Sequence, residues 1–546
     1  MKEEPQRWSM WCLSLAAVCL LALAVGVFET TREEGFNPTA MVYVDAARHL
    51  RNGQGISTTI LFTSSVPKVP SPLSVWPPVY PIAIAATTWL GIDAAVAARL
   101  ISLLAFSASV LLVWLLARST FGSGAASAAL LVTIWPAMTR VAANAWSESL
   151  FVMLLLLSVF ITTRVLRSGQ AGVRTAAAGG LAMAAVCLTR YAALPLIPIG
   201  AVLILWLAHD ARWQVRLVKA IAWASAAGIP VALWLARNLL VTGGLIGSGR
   251  DADDLGVLYH VTFASRTVIS DLLGLLGRLL VVPELVGLEA DAMALIALPV
   301  IGLPLVFLLR RRQGWGHLAD GARAATRSPE ARFVLLMALG YWGAMIVARS
   351  TIGFYPLDSR LMMPVYPLVV VTVVAVVGAV LERASPRATH RSGLAVAVAS
   401  LTAVLVLIVP RSLASGGPRL GPEPAPVWVR WVADHTPPGA LIVGNLSFDY
   451  NFYLQRPVVE FSSNRFGISK FDCQAISALL TRLNVTPAYF VLRADRGRFD
   501  PSSIGALYGS MLEKLLTGET RLPLRPLVRQ PQFAAYEVLS SQWPCQ

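Results

Sequence analysis

Long apolar runs alternate with short polar loops along most of the chain. A helix needs about 20 apolar residues to cross the hydrocarbon core of a bilayer, and most of these runs approach or reach that length. We therefore predict an α-helical polytopic membrane protein with about eleven spans. The predicted spans are 8–28, 95–117, 122–139, 148–166, 175–189, 191–208, 220–236, 286–309, 331–349, 360–381 and 392–410.

A further apolar stretch at residues 76–90 differs from these runs. It is short, and it opens with Trp76-Pro77-Pro78 and continues to Pro81. Proline removes a backbone donor and breaks helices, so a full crossing is disfavoured here. We predict a re-entrant or interfacial helix for this stretch.

Basic residues are distributed unevenly between the loops. If 76–90 does not cross and the N-terminus is cytoplasmic, the cytoplasmic loops hold 15 Lys and Arg: 164–174, 209–219, 310–332 and 382–391. The opposite loops 29–75 and 237–285 hold only four each, although they are longer in total. Positive charge marks the cytoplasmic side. We predict a multi-pass protein of the inner (cytoplasmic) membrane, with 29–94, 237–285 and everything after Pro410 outside.

The sequence changes character after the transmembrane domain, which we predict at 1–410. Four prolines between 418 and 426 predict a stiff linker at 411–426. Alternating strand and helix patterns then predict a small extracytoplasmic α/β domain at 427–546, with a largely parallel sheet. Its predicted strands are 440–444, 457–461 and 488–493, and its predicted helices are 426–435, 471–483 and 502–516.

Composition excludes a soluble globular protein, because 56% of the residues are hydrophobic and 14% are charged. The net charge of +15 does not indicate a nucleic-acid partner, since the basic residues cluster in short loops beside the membrane lipids. The five cysteines show no metal-ligand spacing. Cys473 and Cys545 are expected to pair only if the tail lies in an oxidising compartment.

The polar segment at 41–55, MVYVDAARHLRNGQG, follows the first span and contains one acid, Asp45. Apolar residues at helical spacing, with arginines between them, predict an amphipathic helix along a membrane surface, which Gly53 and Gly55 end. Two interpretations of Asp45 stay open. It is either a catalytic base just outside the bilayer or a solvated residue of an amphipathic connector.

Other ionisable residues recur where predicted spans meet the outer surface. Glu148 stands at the start of a span, where it is either functional or, with Ser147, an ordinary helix cap. Arg190 and Tyr191 interrupt two short apolar runs, and a cation there needs a cavity, a partner or a snorkelling path. Tyr191 belongs to the same candidate substrate-binding site.

Two further positions extend this set. Arg237 ends a span on the outer side, either as a helix C-terminal cation or as a ligand-binding residue. Asp358 and Arg360 open another span, either as a local ion pair that caps the helix or as part of a binding site. Together these cations suit an anionic phosphate, and a carboxylate among them suits removal of a proton from a hydroxyl.

The order of these segments resembles the GT-C superfamily of polyprenyl-phosphate-sugar glycosyltransferases. Within it the chain is similar to bacterial relatives of protein O-mannosyltransferases and aminoarabinose transferases. The likeness covers roughly residues 8–410. It is carried by VDAARHLRNGQG, WPPVYPIAIA, SESLFVMLLLL, LTRYAALPLIP, RNLLVTGGLIG and DSRLMMPVYPLVVV.

The resemblance implies roles for these residues. Asp45 matches the catalytic acid of the first outer loop, and Glu148 fits a second acid in the next outer loop. Arg190, followed by Arg237 and Arg360, matches cations that bind the lipid phosphate. Some relatives carry paired acids in the first loop, whereas Asp45 stands alone, and one carboxylate is a poor Mg²⁺ or Mn²⁺ site. We assign no metal ligands and no certain cofactor.

The implied activity is inverting transfer of a sugar from a polyprenyl-phosphate donor to a hydroxyl of a lipid, glycan or protein acceptor. A lipid or polysaccharide transporter (flippase) is a rival, although transporters tend to show internal repeats and polar residues at the membrane midplane. A non-catalytic scaffold for envelope assembly, with the α/β tail as its binding module, is the third alternative.

Overall fold

The computed structural model describes most of the chain in segments. These are residues 4–31, 36–62, 70–121, 125–167, 172–210, 212–246, 256–280, 328–351, 356–373, 419–422, 424–445, 448–456, 458–460, 473–484, 487–493, 510–518 and 522–543. The predicted spans 286–309 and 392–410 lie outside these ranges, as does most of the predicted linker.

Helices dominate the N-terminal three quarters of the chain. In order they are α1 (Glu4–Glu29), α2 (Pro38–Arg51), α3 (Val79–Thr88), α4 (Ala94–Phe121), α5 (Ala125–Thr133), α6 (Pro136–Ala143), α7 (Ser147–Arg167), α8 (Val173–Cys187), α9 (Leu196–Leu207), α10 (Trp213–Thr242), α11 (Val257–Leu280), α12 (Pro329–Thr351) and α13 (Ser359–Met362). A 3₁₀ turn covers Tyr191–Ala193, and residues 365–373 are helical.

Within the described residues, four helices are long and apolar enough to cross a membrane: Ala94–Thr120, Ser147–Arg167, Trp213–Thr242 and Pro329–Thr351. The chain is thus a multi-pass membrane protein, while the number of eleven spans stays a prediction. The predicted span 122–139 is not one continuous helix, because α5 ends at Thr133 and α6 begins at Pro136. Proline lacks the N–H that would continue the ladder.

The stretch at 76–90 forms the short helix α3. Its ten residues rise about 15 Å at 1.5 Å per residue, about half the thickness of the hydrocarbon core. Trp89 and Leu90 at its C-terminal end are exposed. This length agrees with the prediction that the stretch does not cross.

Close packing of α7, α8, α9 and α10 builds the centre of the helical core around Trp223. This indole is fully buried, and its Nε1 donates to Thr162 Oγ1 at 3.1 Å. Gly180 lets α8 approach α10 closely, because a Cβ at that position would lie 2.1 Å from the Trp223 carbonyl oxygen. Small residues commonly permit such helix contacts in membranes.

Strands and short helices form the C-terminal part. They are α14 (Val427–His435), β4 (Leu441–Gly444), α15 (Phe448–Leu454), β5 (Val458–Glu460), α16 (Cys473–Leu483), β6 (Ala488–Arg493), α17 (Ser510–Thr517), β7 (Leu524–Gln530) and β8 (Phe533–Val538). In the described residues these strands form, together with β2 (Ile60–Phe62) from the first outer loop, a six-stranded sheet of order β2-β5-β4-β6-β8-β7. The first four strands run parallel, and β8 and β7 form an antiparallel hairpin at one edge.

The opposite edge strand comes from the first outer loop. That loop contributes β1 (Ser57–Thr58), β2 (Ile60–Phe62) and β3 (Ser71–Pro72). β1 pairs with β3, whereas β2 pairs in parallel with β5. The sheet therefore includes residues from both sides of the predicted boundary between the transmembrane and α/β domains, and the two parts share backbone hydrogen bonds.

Candidate active site

Helix α2 contains Asp45, and capping and turn residues define where it begins and ends. Asn37 Oδ1 accepts from the backbone N of Ala40 at 3.0 Å, and Pro38 follows this cap. Gly53 and Gly55, with φ of 77° and 72°, end the segment. Residues 40–47 are all buried, against α3 on one side and α15 on another. Protein therefore covers two sides of this helix, and its orientation along a membrane surface stays a prediction.

Asp45 is fully buried and bound by neutral donors. Its Oδ2 accepts from Thr58 Oγ1 at 2.7 Å and from Thr59 N at 3.0 Å. Its Oδ1 lies 3.6 Å from His49 Nε2 and has no hydrogen-bond partner within the described part of the chain. Burial raises the pKa of this carboxyl, and His49, the two threonine donors and the Asn451 side chain oppose that rise. The interpretation of Asp45 as a solvated residue is wrong.

Glu148 forms the centre of a second polar group at the start of α7. It is 1% exposed, and its Oε1 pairs with Arg190 Nη1 at 2.6 Å and with Arg360 Nε. Ser147 Oγ lies 3.1 Å from the hydroxyl of Tyr43 in α2. Four separate elements thus converge here: the N-terminus of α7, α2, the connection between α8 and α9, and α13.

Asp358 and Arg360 have different partners. The Asp358 side chain caps α13 by accepting from Leu361 N at 3.1 Å, as the capping alternative predicted. Arg360, however, pairs with Glu148 and lies over the Trp146 ring at 4.1 Å. Burial raises the pKa of Asp358. The predicted local ion pair is therefore replaced by a long-range one.

A cavity of about 170 Å³ opens beside Arg360. Its lining residues are Ala137, Arg140, Val141, Trp146, Asp358, Ser359 and Arg360. Trp146 Nε1 is buried without a hydrogen-bond partner among the described residues. Behind the cavity, Asp271 of α11 accepts from Ser359 Oγ at 2.8 Å and from the Tyr366 hydroxyl. The cavity is thus lined by two guanidinium-bearing residues, Arg140 and Arg360, and by the Trp146 side chain.

Tyr191 and Arg237 form a separate group on the outer loop. Tyr191 OH donates to Ser74 O at 3.0 Å and accepts from Trp234 Nε1 at 2.8 Å. Arg237 donates to Leu73 O at 3.1 Å. Both residues thus donate to backbone carbonyls of segment 71–75.

The structure brings together only part of the predicted site. Glu148, Arg190, Asp358 and Arg360 share one end of the helical core, whereas Asp45 contacts the β1–β2 segment. Tyr43 and Asp45 are two positions apart on α2, and such positions point to different sides of a helix. Asp45 therefore lies away from the side of α2 that contacts Ser147.

Sequence reasoning missed several partners of these residues. Tyr43 and Trp146 each lie two positions from a predicted site residue. Their closeness in sequence to that residue could have marked them as site candidates. Asp271 and Asn451 gave no such signal, because Asp271 is an isolated acid in a predicted loop and Asn451 belongs to the distant C-terminal part.

This arrangement has the fold of the GT-C superfamily of membrane glycosyltransferases, which confirms the resemblance predicted from the sequence. Residues 75–236 match the model of a family described as dolichyl-phosphate-mannose-protein mannosyltransferase. No curated protein sequence matches the chain.

Two solved structures illustrate the likeness. ArnT from Cupriavidus metallidurans bound to undecaprenyl phosphate is 15% identical with a TM-score of 0.55, over 98% of this chain and 99% of that chain. The Archaeoglobus fulgidus oligosaccharyltransferase AglB, in complex with an inhibitory peptide and a dolichol-phosphate, is 13% identical with a TM-score of 0.51, over 98% and 74%. At this identity the similarity establishes the fold.

Proposed function

We propose that the protein is an inverting glycosyltransferase. It transfers a sugar from a polyprenyl-phosphate donor to an acceptor hydroxyl on a lipid, glycan or protein, at the outer face of the cytoplasmic membrane. Support comes from the GT-C fold and the match to a mannosyltransferase family. Structures of this fold have been solved with undecaprenyl phosphate and with a dolichol-phosphate.

The pairing of Glu148 with two arginines carries the proposal. One carboxylate neutralises only one unit of charge, so the group of Arg190, Glu148 and Arg360 has a net positive charge, and Arg360 lines the cavity. Asp358 and Asp271 add negative charge nearby, and Arg140 adds a further guanidinium to the cavity lining. A phosphate suits this place, because guanidinium groups bind phosphate through paired, charge-assisted hydrogen bonds.

In this mechanism Asp45 accepts the proton of the acceptor hydroxyl while the hydroxyl oxygen attacks the anomeric carbon. The bond between that carbon and the phosphate oxygen breaks, and the lipid phosphate leaves with the electron pair. Arg360 and Arg190 stabilise the charge that develops on the phosphate. Inversion requires the base and the leaving group on opposite faces of the sugar, so a base separate from the arginines is suitable.

Two features of Asp45 support its role as the base. Its Oδ2 is held by Thr58 and Thr59, whereas Oδ1 is buried, accepts no hydrogen bond among the described residues and lies 3.6 Å from His49 Nε2. Burial raises its pKa, and a base works best when its pKa is close to the working pH. Tyr191 and Arg237 contribute by fixing segment 71–75 above the helical core. No step of the mechanism requires a metal.

Binding of polyprenyl phosphate to the purified protein in nanodiscs tests the phosphate site. We expect the wild type to bind polyprenyl phosphate more tightly than the corresponding polyprenol. Arg360→Ala should weaken phosphate binding about ten- to hundredfold, which corresponds to a charged hydrogen bond of about 1.5–3 kcal/mol. Glu148 keeps Arg190 as its partner in this variant, so no buried charge is left alone.

Arg167→Ala is the matched control. Arg167 also pairs with a glutamate, Glu330, but at the other end of α7, about 30 Å away along 21 residues. This variant should bind the lipid like the wild type. Equal affinities in all three proteins, or equal affinity for the phosphate and the alcohol, would remove the arginines from the site.

A further inference from the structure

The C-terminal part of the chain reaches the candidate base through one buried amide. Asn451, in α15, is fully buried, and its Nδ2 donates to Thr59 Oγ1. The backbone N of the same threonine donates to Asp45 Oδ2 at 3.0 Å. Thr59 therefore links Asn451, which lies 392 positions further along the chain, to the carboxylate. The Asn451 side chain also lowers the pKa of Asp45 directly.

Strand pairing fixes the position of Thr59 from the other side. Val458 N donates to Thr59 O at 3.1 Å, where β2 begins its parallel pairing with β5. The threonine is thus held at its carbonyl by β5 and at its hydroxyl by α15. Its N–H is the remaining polar group, and it is directed at Asp45.

Contacts along α2 add to this attachment. Arg48 Nη1 donates to Phe452 O at 2.7 Å, and its guanidinium lies 5.2 Å from the Phe452 ring centroid. The Phe452 ring also stacks on Phe36, just before α2, at 5.3 Å. Helix α15 therefore contacts α2 at its start and in its last turn, with Asp45 between these points.

From these contacts we infer that Asn451 is a positioning residue for Asp45, so the C-terminal α/β part completes the catalytic site. This inference rests on the proposed function, in which Asp45 is the base. Asn451 is not assigned a contact with substrate; its amide favours the charged form of Asp45 directly and also holds Thr59, which donates to the same carboxylate. The α/β part is thus more than an appended binding module, because the orientation of the base depends on it.

The test compares donor turnover in Asn451→Ala, Thr59→Val and the double variant. Valine keeps the shape and the backbone N–H of Thr59 but cannot accept from Asn451. Each single variant should lower kcat about ten- to hundredfold, because small displacements of a reacting group are costly. The donor KM should change little. The double variant should be no slower than the worse single variant, because both changes break the same contact.

The pH profile separates positioning from general damage. The bond from Asn451 keeps Thr59 in place, and the Thr59 N–H favours the charged form of Asp45. Loss of this bond should therefore raise the pKa of Asp45 and move the acidic limb of the kcat/KM profile to higher pH. Asn445→Ala is the matched control, since the bonds of this buried amide within the described segments go to Arg493 N and O in the neighbouring strand, at 2.7 and 2.9 Å. It should lower Tm without moving that limb.

Hydrogen exchange of residues 57–62 provides a readout independent of turnover. We expect faster exchange in Asn451→Ala and Thr59→Val, and wild-type exchange in Asn445→Ala. If the wild type shows no transfer but exchange changes in this way, the positioning contact stands and the proposed function fails. If the wild type transfers sugar, and Asn451→Ala keeps both its pH profile and its exchange, the inference fails.

Discussion

Two buried carboxylates in this protein are stabilised by different means. Glu148 has two guanidinium partners, whereas Asp45 has a hydroxyl, a backbone N–H and a histidine nearby. The charged form of a buried carboxylate has a higher free energy when neutral donors contact it than when cations contact it. This difference suits Glu148 to organise cations and Asp45 to take up a proton.

The raised pKa of Asp45 gives a stability prediction. The folded state holds the proton of this carboxyl more tightly than the unfolded state, so Asp45 costs stability as pH rises above about 4. Asp45→Asn removes this cost, and its amide oxygen still accepts from Thr58 and Thr59. The Tm of the variant minus that of the wild type should therefore increase from pH 4 to pH 7. A constant or decreasing difference would contradict the raised pKa.

Sequence reasoning at the residue scale found the charged residues but not their partners. Asp45, Glu148, Arg190 and Arg360 were recognisable because charges are rare next to apolar spans. The pairing of Glu148 with Arg360 crosses 212 positions, and no local pattern encodes which distant segment meets a given carboxylate. Burial of Asp45 was missed for the same reason, since residues of the C-terminal part cover it.

Among the helices and strands, local sequence patterns predicted whether a segment is a helix or a strand better than they predicted which segments pack against it. Strands β4, β5 and β6 match their predictions closely, because short apolar runs between turn residues are typical of buried parallel strands. The β7–β8 hairpin was missed: Pro526 weakens the strand pattern, and proline is tolerated here on an edge strand. Helix α2 was found, but its amphipathic pattern did not reveal that α15 covers it.

Close packing of α8 on α10 gives a prediction at this scale. Gly180→Ala would place a methyl group 2.1 Å from the Trp223 carbonyl oxygen, so the helices must separate. Overpacking of this kind costs about 1–3 kcal/mol. Gly228→Ala in α10 is the control, because nothing lies within 4 Å of its added Cβ. Thermal unfolding should show a lower Tm for Gly180→Ala and an unchanged or higher Tm for Gly228→Ala. Equal Tm values would show that the helices are not in close contact.

At the scale of the whole molecule, the transmembrane and α/β parts share a sheet edge and the surroundings of Asp45. The sequence predicted both parts but treated them as separate domains joined by a linker. Parallel pairing of β2 with β5 depends on two segments about 400 residues apart, which no local periodicity reveals. A disulfide at Cys473 fits the predicted extracytoplasmic side of the α/β part, although its predicted partner Cys545 lies outside the described residues.

Topology is testable by thiol labelling. In a background with Cys12, Cys19 and Cys187 changed to alanine, Ser328→Cys should react with a membrane-impermeant reagent only from the cytoplasm. Gly439→Cys, in an exposed turn after α14, should react only from outside. Basic loops on the cytoplasmic side are the reason for this assignment. Reaction of both cysteines from the same side would contradict it.

Turnover of a lipid-linked sugar shows whether the protein is a glycosyltransferase with Asp45 as its base. Purified protein in nanodiscs is supplied with polyprenyl-phosphate sugars and with lipid, glycan and peptide acceptors, and the release of polyprenyl phosphate is measured. The wild type and Arg167→Ala should consume at least one donor. Asp45→Asn should be slower by about 10²–10⁴-fold, as expected when a general base is lost, and Arg360→Ala should also be impaired. Absence of release by the wild type with every donor, or equal rates in all four proteins, would contradict the account.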